Sequence, residues 1–73
     1  MKTADYAQYF YISRFIKLQR ELLNLTQRSL AKSINLSQSS IAQLEAGEKR
    51  PSLDTIFKLA MIFKCSPKKF FLN

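Results

Sequence analysis

The sequence predicts an all-α domain of five helices, and three observations carry that prediction. Apolar residues recur at intervals of three and four along most of the chain, the period of an amphipathic helix. The breakers fall singly, at Asn24, Asn35, Gly47, Pro51 and Pro67, where one helical pattern stops and the next begins. Strand signals are absent from the 73 residues, as are internal repeats, low-complexity segments and linkers.

The first helix spans about residues 3–23. Ile12, Ile16, Gln19, Arg20 and Leu23 fall on one face. A second face carries Tyr11, Phe15, Leu18 and Leu22, so the apolar surface is wider than one contact within a small domain needs. Either this helix packs on both sides, or the extra stripe meets another chain. Tyr6, Tyr9 and Phe10 extend the pattern upstream as an aromatic arm or helix extension (residues 1–11), ahead of the main domain (residues 12–73). Asn24 ends the helix, because asparagine tolerates the left-handed conformation that a helix C-terminus favours.

Thr26 caps a second helix, its oxygen accepting from the unpaired amides ahead of it. Leu30, Ala31 and Ile34 face inward there. Asn35 makes the next turn, Leu36 enters the core, and Ser37 caps a third helix over residues 38–46. Ile41 and Leu44 point inward from it, which leaves Gln38, Ser39, Ala42 and Gln43 to share the outward face. Gly47 supplies the left-handed residue after it. Ser52 caps a fourth helix, 53–63, with Leu53, Ile56, Leu59, Ala60 and Phe63 as its expected buried face. Ser66 opens a last short helix, with Pro67 at its first position, where the missing amide costs nothing.

Composition sets the function classes. Twelve Lys and Arg stand against five Asp and Glu, for a net charge of +7. On a domain this small the excess suggests a polyanion partner, because each neutralised phosphate releases counterions. Without His and with the single Cys65, a zinc site has almost no ligands, and Cys65 reads as a small buried hydrophobe rather than a reactive thiol. The five acids form no close general acid–base pair. One glycine excludes a phosphate-cradling glycine loop. No stretch reaches the ~20 apolar residues of a membrane span, and the opening segment, with Lys2 and Asp5, does not read as a signal peptide. The expectation is a cytoplasmic protein that is neither an enzyme nor cofactor-dependent.

The run IxxxR…LTQxxLAxxIxLSQSSIxxLExGxxxPSLxxIxxLAxxF, between Ile12 and Phe71, resembles the phage repressor and Cro-type helix-turn-helix domain, the XRE family. Gln27, Leu30-Ala31, Ile41, Leu44-Glu45, Gly47 and Pro51-Ser52-Leu53 are weak singly and specific together in register. The resemblance implies a compact five-helix lambda-repressor-like fold that binds double-stranded DNA. Helices two and three would be the reading pair, and Arg20 and Glu45 a buried ion pair.

In that family the recognition helix enters the major groove with its N-terminal residues at base edges. By resemblance Gln38, Ser39, Ala42 and Gln43 contact bases: glutamine bonds an adenine edge twice, and Ala42 suits a thymine methyl. Thr26, Gln27, Arg28, Ser37, Lys49 and Arg50 would contact phosphates, with the helix-start amide of Gln27 aimed at one. Dimerisation through the C-terminal helices, as in the family, would use Phe57, Met61, Phe70, Phe71 and Leu72. A homodimer would then read a palindromic operator with half-sites ~34 Å apart.

Several features depart from the family pattern. Asparagine replaces glycine in two turns, Leu18 and Leu22 stand where charge is usual, Met61 and Phe71 add apolar surface, and the aromatic arm is extra. The leading function is a homodimeric transcriptional regulator, a repressor. The alternative is an antitoxin or restriction-modification controller that binds DNA and a partner protein. A cationic membrane-surface or RNA-binding peptide would fit the charge but not the ordered caps and turns.

Overall fold

A computed structural model describes residues 3–72, with side chains from Ala7 onward. Four α-helices follow in order: α1 (Thr3–Leu22), α2 (Gln27–Ser33), α3 (Gln38–Glu45) and α4 (Leu53–Phe63). The expected fifth helix is a single 3-10 turn, Pro67–Phe70. Four residues are too few for an α-helix to pair more than its first turn, so the tighter hydrogen-bond pattern takes over.

The starts of α2, α3 and α4 are capped as the hydroxyl residues predict. Thr26, Ser37 and Ser52 accept from the main-chain amides of Ser29, Ser40 and Thr55, which satisfies one of the orphan donors at each helix start. Thr26 goes further. Its own amide donates to Ser29 Oγ at 3.0 Å, closing a reciprocal capping box with serine in the place usually held by Glu or Gln.

All four α-helices end alike. A left-handed residue follows each one: Asn24 (φ 58°), Asn35 (φ 60°), Gly47 (φ 76°) and Lys64 (φ 56°). The amide of the next residue reaches back across the end, as in Leu25 N to Arg20 O (3.0 Å), Leu36 N to Ala31 O (2.8 Å), Glu48 N to Gln43 O (2.9 Å) and Cys65 N to Ala60 O (3.0 Å). This is the Schellman arrangement, which is completed by an apolar residue after the left-handed one. Leu25, Leu36 and Cys65 fill that role and pack on the core. Glu48, after the third helix, is exposed. Lys64 was invisible as a terminator in the sequence, since lysine carries no turn preference.

The core gathers Ile12 and Ile16 of α1, Leu30, Ala31 and Ile34 around α2, Ile41 and Leu44 of α3, and Ile56, Leu59, Ala60 and Phe63 of α4. Phe70 closes it with no exposed surface at all. Phe70 was expected at a dimer interface. It is instead a core residue, its ring edge-on to Phe15 at 4.9 Å between centroids and stacked with Phe63 at 6.1 Å. Leu53 also departs from expectation. It is 65% exposed and lies in line with Phe57 (53%) and Met61 (78%), four residues apart on the outer side of α4. The buried face of that helix starts at Ile56.

The helix α1 runs unbroken through residues 11–12, so its aromatic start is a helix extension. Tyr6 lies outside the described side chains. The second face of α1 divides in two. Tyr11 stacks on Phe15 at 5.9 Å, and Phe15 packs on the core, whereas Leu18 and Leu22 remain exposed. The extension is tied down by polar groups as well. Gln8 Nε2 donates to the carbonyl of Phe70 (3.2 Å), and Gln8 Oε1 accepts from the amide of Leu72 (3.1 Å). Tyr11 donates its hydroxyl hydrogen to the carbonyl of Lys69 (3.0 Å). Residues 8–11 of α1 and residues 69–72 therefore close on each other.

Candidate nucleic-acid interface

The outward face of α3 is small and polar because apolar residues on that helix sit only at inward positions. Ile41 and Leu44 are buried, while Gln38, Ser39 and Gln43 are exposed and Ala42 is half-buried. The serines around the helix start satisfy one another: Ser37 Oγ lies 3.2 Å from Ser39 Oγ and donates to Ser40 Oγ at 3.0 Å. The glutamines project beyond this network. Both carry an amide, donor and acceptor together, which is the group that reads an adenine edge.

What fixes the angle of α3 is a charged lock at its far end. Arg20 Nε and Nη2 donate to Glu45 Oε2 (2.7 Å) and Oε1 (3.1 Å), a two-pronged fork across from α1 to α3. Arg20 Nη1 also donates to the Leu25 carbonyl at 2.7 Å, which fixes the turn into α2. Glu45 Oε1 takes a further hydrogen bond from Gln27 Nε2 at 3.0 Å. One carboxylate thus joins α1, α2 and α3. The pair is nearly sealed, with side-chain exposure of 12% for Arg20 and 4% for Glu45. The bonded Glu45 carboxylate raises the Arg20 pKa above its ordinary value, against the pull of burial in the other direction. The shift only reinforces a charge that arginine keeps in proteins anyway.

The bond from Gln27 was not foreseeable from spacing. It ties one N–H of that side chain to the Arg20–Glu45 lock. Thr26 and Ser37 are likewise committed to their caps. Among the expected phosphate-contacting residues, Arg28, Lys49 and Arg50 are exposed cations. Lys49 Nζ donates to Ser40 Oγ at 3.3 Å, which holds the ammonium against the flank of α3. Arg50 lies over the ring of Tyr9, its guanidinium carbon 4.1 Å from the ring centroid. Gly47 sits where the loop passes α1: a Cβ there would only be in ordinary contact with Ser13 Oγ, at 3.4 Å, so glycine suits the position through its left-handed φ of 76°. Ser13 is itself buried and donates to the carbonyl of Tyr9 at 3.0 Å.

Cys65 is half-buried beside the core. Burial pushes its thiol pKa up, more than nearby Lys69 pulls it down, which keeps it protonated at neutral pH. Among the described residues no group of His, Cys, Asp and Glu could hold a metal ion, and no helix is long and apolar enough to cross a membrane.

The helix-turn-helix family model aligns with residues 16–70. The chain belongs to the helix-turn-helix family. Its relatives include the HTH-type transcriptional regulator DicA of Escherichia coli, 39% identical over 56 residues, and the HTH-type regulator MJ0272 of Methanocaldococcus jannaschii, 39% identical over 57 residues. The match takes in 77% of this chain and 42% of DicA, against 78% of this chain and 86% of the archaeal protein. The chain thus spans less than half the length of DicA.

Two solved structures share the fold. One is the restriction-modification controller protein C.AhdI from Aeromonas hydrophila, with a TM-score of 0.82 and 29% identity over 90% of this chain and all of that one. The other is the P22 c2 repressor in complex with a synthetic operator, with a TM-score of 0.77 and 27% identity over 82% of this chain and 91% of that one.

Proposed function

We propose that this helix-turn-helix protein is a transcriptional regulator that binds double-stranded DNA as a homodimer and acts as a repressor in the cytoplasm. The observation that carries the reading is the outer face of α3. It presents Gln38, Ser39, Ala42 and Gln43 from a helix whose orientation is set by the buried Arg20–Glu45 fork. α3 carries no Lys or Arg. Specificity then comes from the amides and affinity from the cations beside them, the usual division between base and phosphate contacts. Gln38 and Gln43 read adenine, with Ser39 and Ala42 as weaker contacts. Lys49, Arg50 and Arg28 hold phosphates, with the main-chain amide of Gln27 as a further contact, while the Thr26 and Ser37 hydroxyls are engaged in their caps.

The outer stripe of α4, Leu53, Phe57 and Met61, supports the dimer. With exposed Phe71 and Leu72 it is the apolar surface nearest the family's expected interface, and Phe70 takes no part. An isologous pairing across this stripe puts two copies of α3 on successive major grooves.

Likeness to C.AhdI along that protein's whole length supports a second version of the same chemistry, control of a restriction-modification operon. The antitoxin reading is less well supported. Of the aromatic arm it required, Tyr11 is bonded to the chain's own C-terminal turn and Tyr9 lies under Arg50, which leaves Phe10, Leu18 and Leu22 as an exposed partner surface.

Selection from a random duplex pool tests the proposal. The expected product is an enriched, two-fold symmetric motif with half-sites 10–10.5 bp apart or a multiple of that. Enrichment of a single unrepeated half-site would reject the dimer, and no enrichment at all would reject sequence reading by α3. The position of the enriched motif relative to methyltransferase or endonuclease genes would separate the two versions.

A further inference from the structure

We propose that Tyr9, in the helix extension, is a positioning residue for DNA binding that presents the Arg50 guanidinium to a phosphate. The inference rests on the reading of Arg50 as a phosphate contact and adds a residue remote from the helix-turn-helix motif. Arg50 stands on the loop between α3 and α4, exposed to solvent, yet its guanidinium is stacked over the Tyr9 ring at 4.1 Å. A guanidinium held over a ring face is attracted through that face and can keep its N–H edge for a phosphate.

Each step that brings Tyr9 under Arg50 is visible. The Schellman turn at Gly47 carries the chain away from α3. At Gly47 the loop lies beside Ser13, within ordinary contact distance of its hydroxyl. Ser13 is one helical turn from Tyr9 and is bonded to its carbonyl, so the loop that touches Ser13 meets the Tyr9 ring one turn further along α1. Tyr9, Arg14, Lys49 and Arg50 then share the rim of one open cleft of about 290 Å³ between α1 and the loop.

A free arginine loses rotamer freedom when it binds a phosphate, and a stacked one has already lost much of it. The extension of α1 thereby contributes to affinity without touching DNA, equally for all sequences. If the stack served only to close the loop on α1, its loss would change stability and leave DNA affinity of the folded protein alone.

The test is a double-mutant cycle on DNA affinity, read by fluorescence anisotropy with a random-sequence duplex and with a selected one. Thermal unfolding of each variant checks that it is folded at the assay temperature. Tyr9→Leu is expected to weaken both duplexes about two- to five-fold, the range of an exposed cation–π contact. The salt slope should stay unchanged, because the number of phosphates neutralised is the same. Tyr9→Phe keeps the ring and should restore affinity. Arg50→Ala should weaken both duplexes and make the salt slope shallower by about one, and adding Tyr9→Leu to it should do nothing more.

If Arg50→Ala leaves affinity and slope unchanged, the phosphate role of Arg50 fails and this inference with it. If Arg50→Ala weakens binding while Tyr9→Leu does not, only the positioning role of Tyr9 is overturned. Equal loss from Tyr9→Leu with and without Arg50 would also overturn it.

Discussion

The C-terminal half of α1 is held by charge, and its N-terminal half by aromatic rings and main-chain bonds. At the C-terminal end, Arg20 forks onto Glu45, and the same carboxylate takes Gln27. At the other end, Tyr11, Phe15, Phe63 and Phe70 pack in one aromatic cluster, with Gln8 and Tyr11 bonded to the C-terminal backbone. The two arrangements do different work. A buried ion pair gives little net stability, since its attraction mostly offsets the desolvation of both charges, but it tolerates few geometries. Aromatic packing contributes stability through buried area and accepts both the edge-on and the stacked pairs found here. The charged end thus fixes the angle between α1 and the α2–α3 pair, and the aromatic end keeps the small domain folded.

Breaking the aromatic end should have the largest effect. Phe70→Ala removes a fully buried ring, and such truncations cost about 3–5 kcal/mol. A domain of this length has roughly 4–11 kcal/mol in total, so the variant should be largely unfolded in mild urea. A urea melt with less than about 1 kcal/mol of loss would show that the C-terminal turn is dispensable.

At the charged end the expectation has two parts. Glu45→Ala leaves the Arg20 guanidinium buried and Gln27 without its acceptor, at a cost of about 3 kcal/mol. Replacing both partners, Arg20→Met with Glu45→Leu, should recover part of that stability because no charge is stranded. The comparison predicts that this double variant folds yet binds its selected site with broadened base preference. A double variant with unaltered preference would mean that hydrophobic packing alone sets the angle of α3.

A smaller effect sharpens the contrast from a neutral place. Lys64 adopts the left-handed conformation at the end of α4 with a β-carbon in the way. Lys64→Gly should stabilise the fold by about 0.5–1 kcal/mol, the usual gain from improving a helix cap. It should leave both ends of α1 as they are and DNA preference unchanged.

The parts of this molecule legible in the sequence are those with local causes. Thr26, Ser37, Ser52, Asn24, Asn35 and Gly47 each act within a few residues, and each sits where its type predicts. The periodicity of Ile12, Ile16, Ile41, Leu44 and Ile56 was legible for the same reason. What could not be read depends on tertiary context. Among Phe70, Phe71 and Leu72 nothing local says which one turns inward, and the approach of α1 selects Phe70. Leu53 opens α4 in a buried-looking spacing, but no element covers that first turn, so it stays outside. The bonds from Gln8, Tyr11 and Gln27 span 62, 58 and 18 residues, beyond any local pattern. The stack of Tyr9 on Arg50 belongs to the same class.

The account turns on α3 reading bases through its glutamine amides. The most direct measurement is the base-preference profile of Gln38→Ala against that of the unaltered protein on variants of the selected site. The account predicts a loss of roughly 1–3 kcal/mol on the selected site and a relaxed preference at one base pair in each half-site, with the other positions intact. A uniform loss across all sequences, with every preference retained, would contradict it.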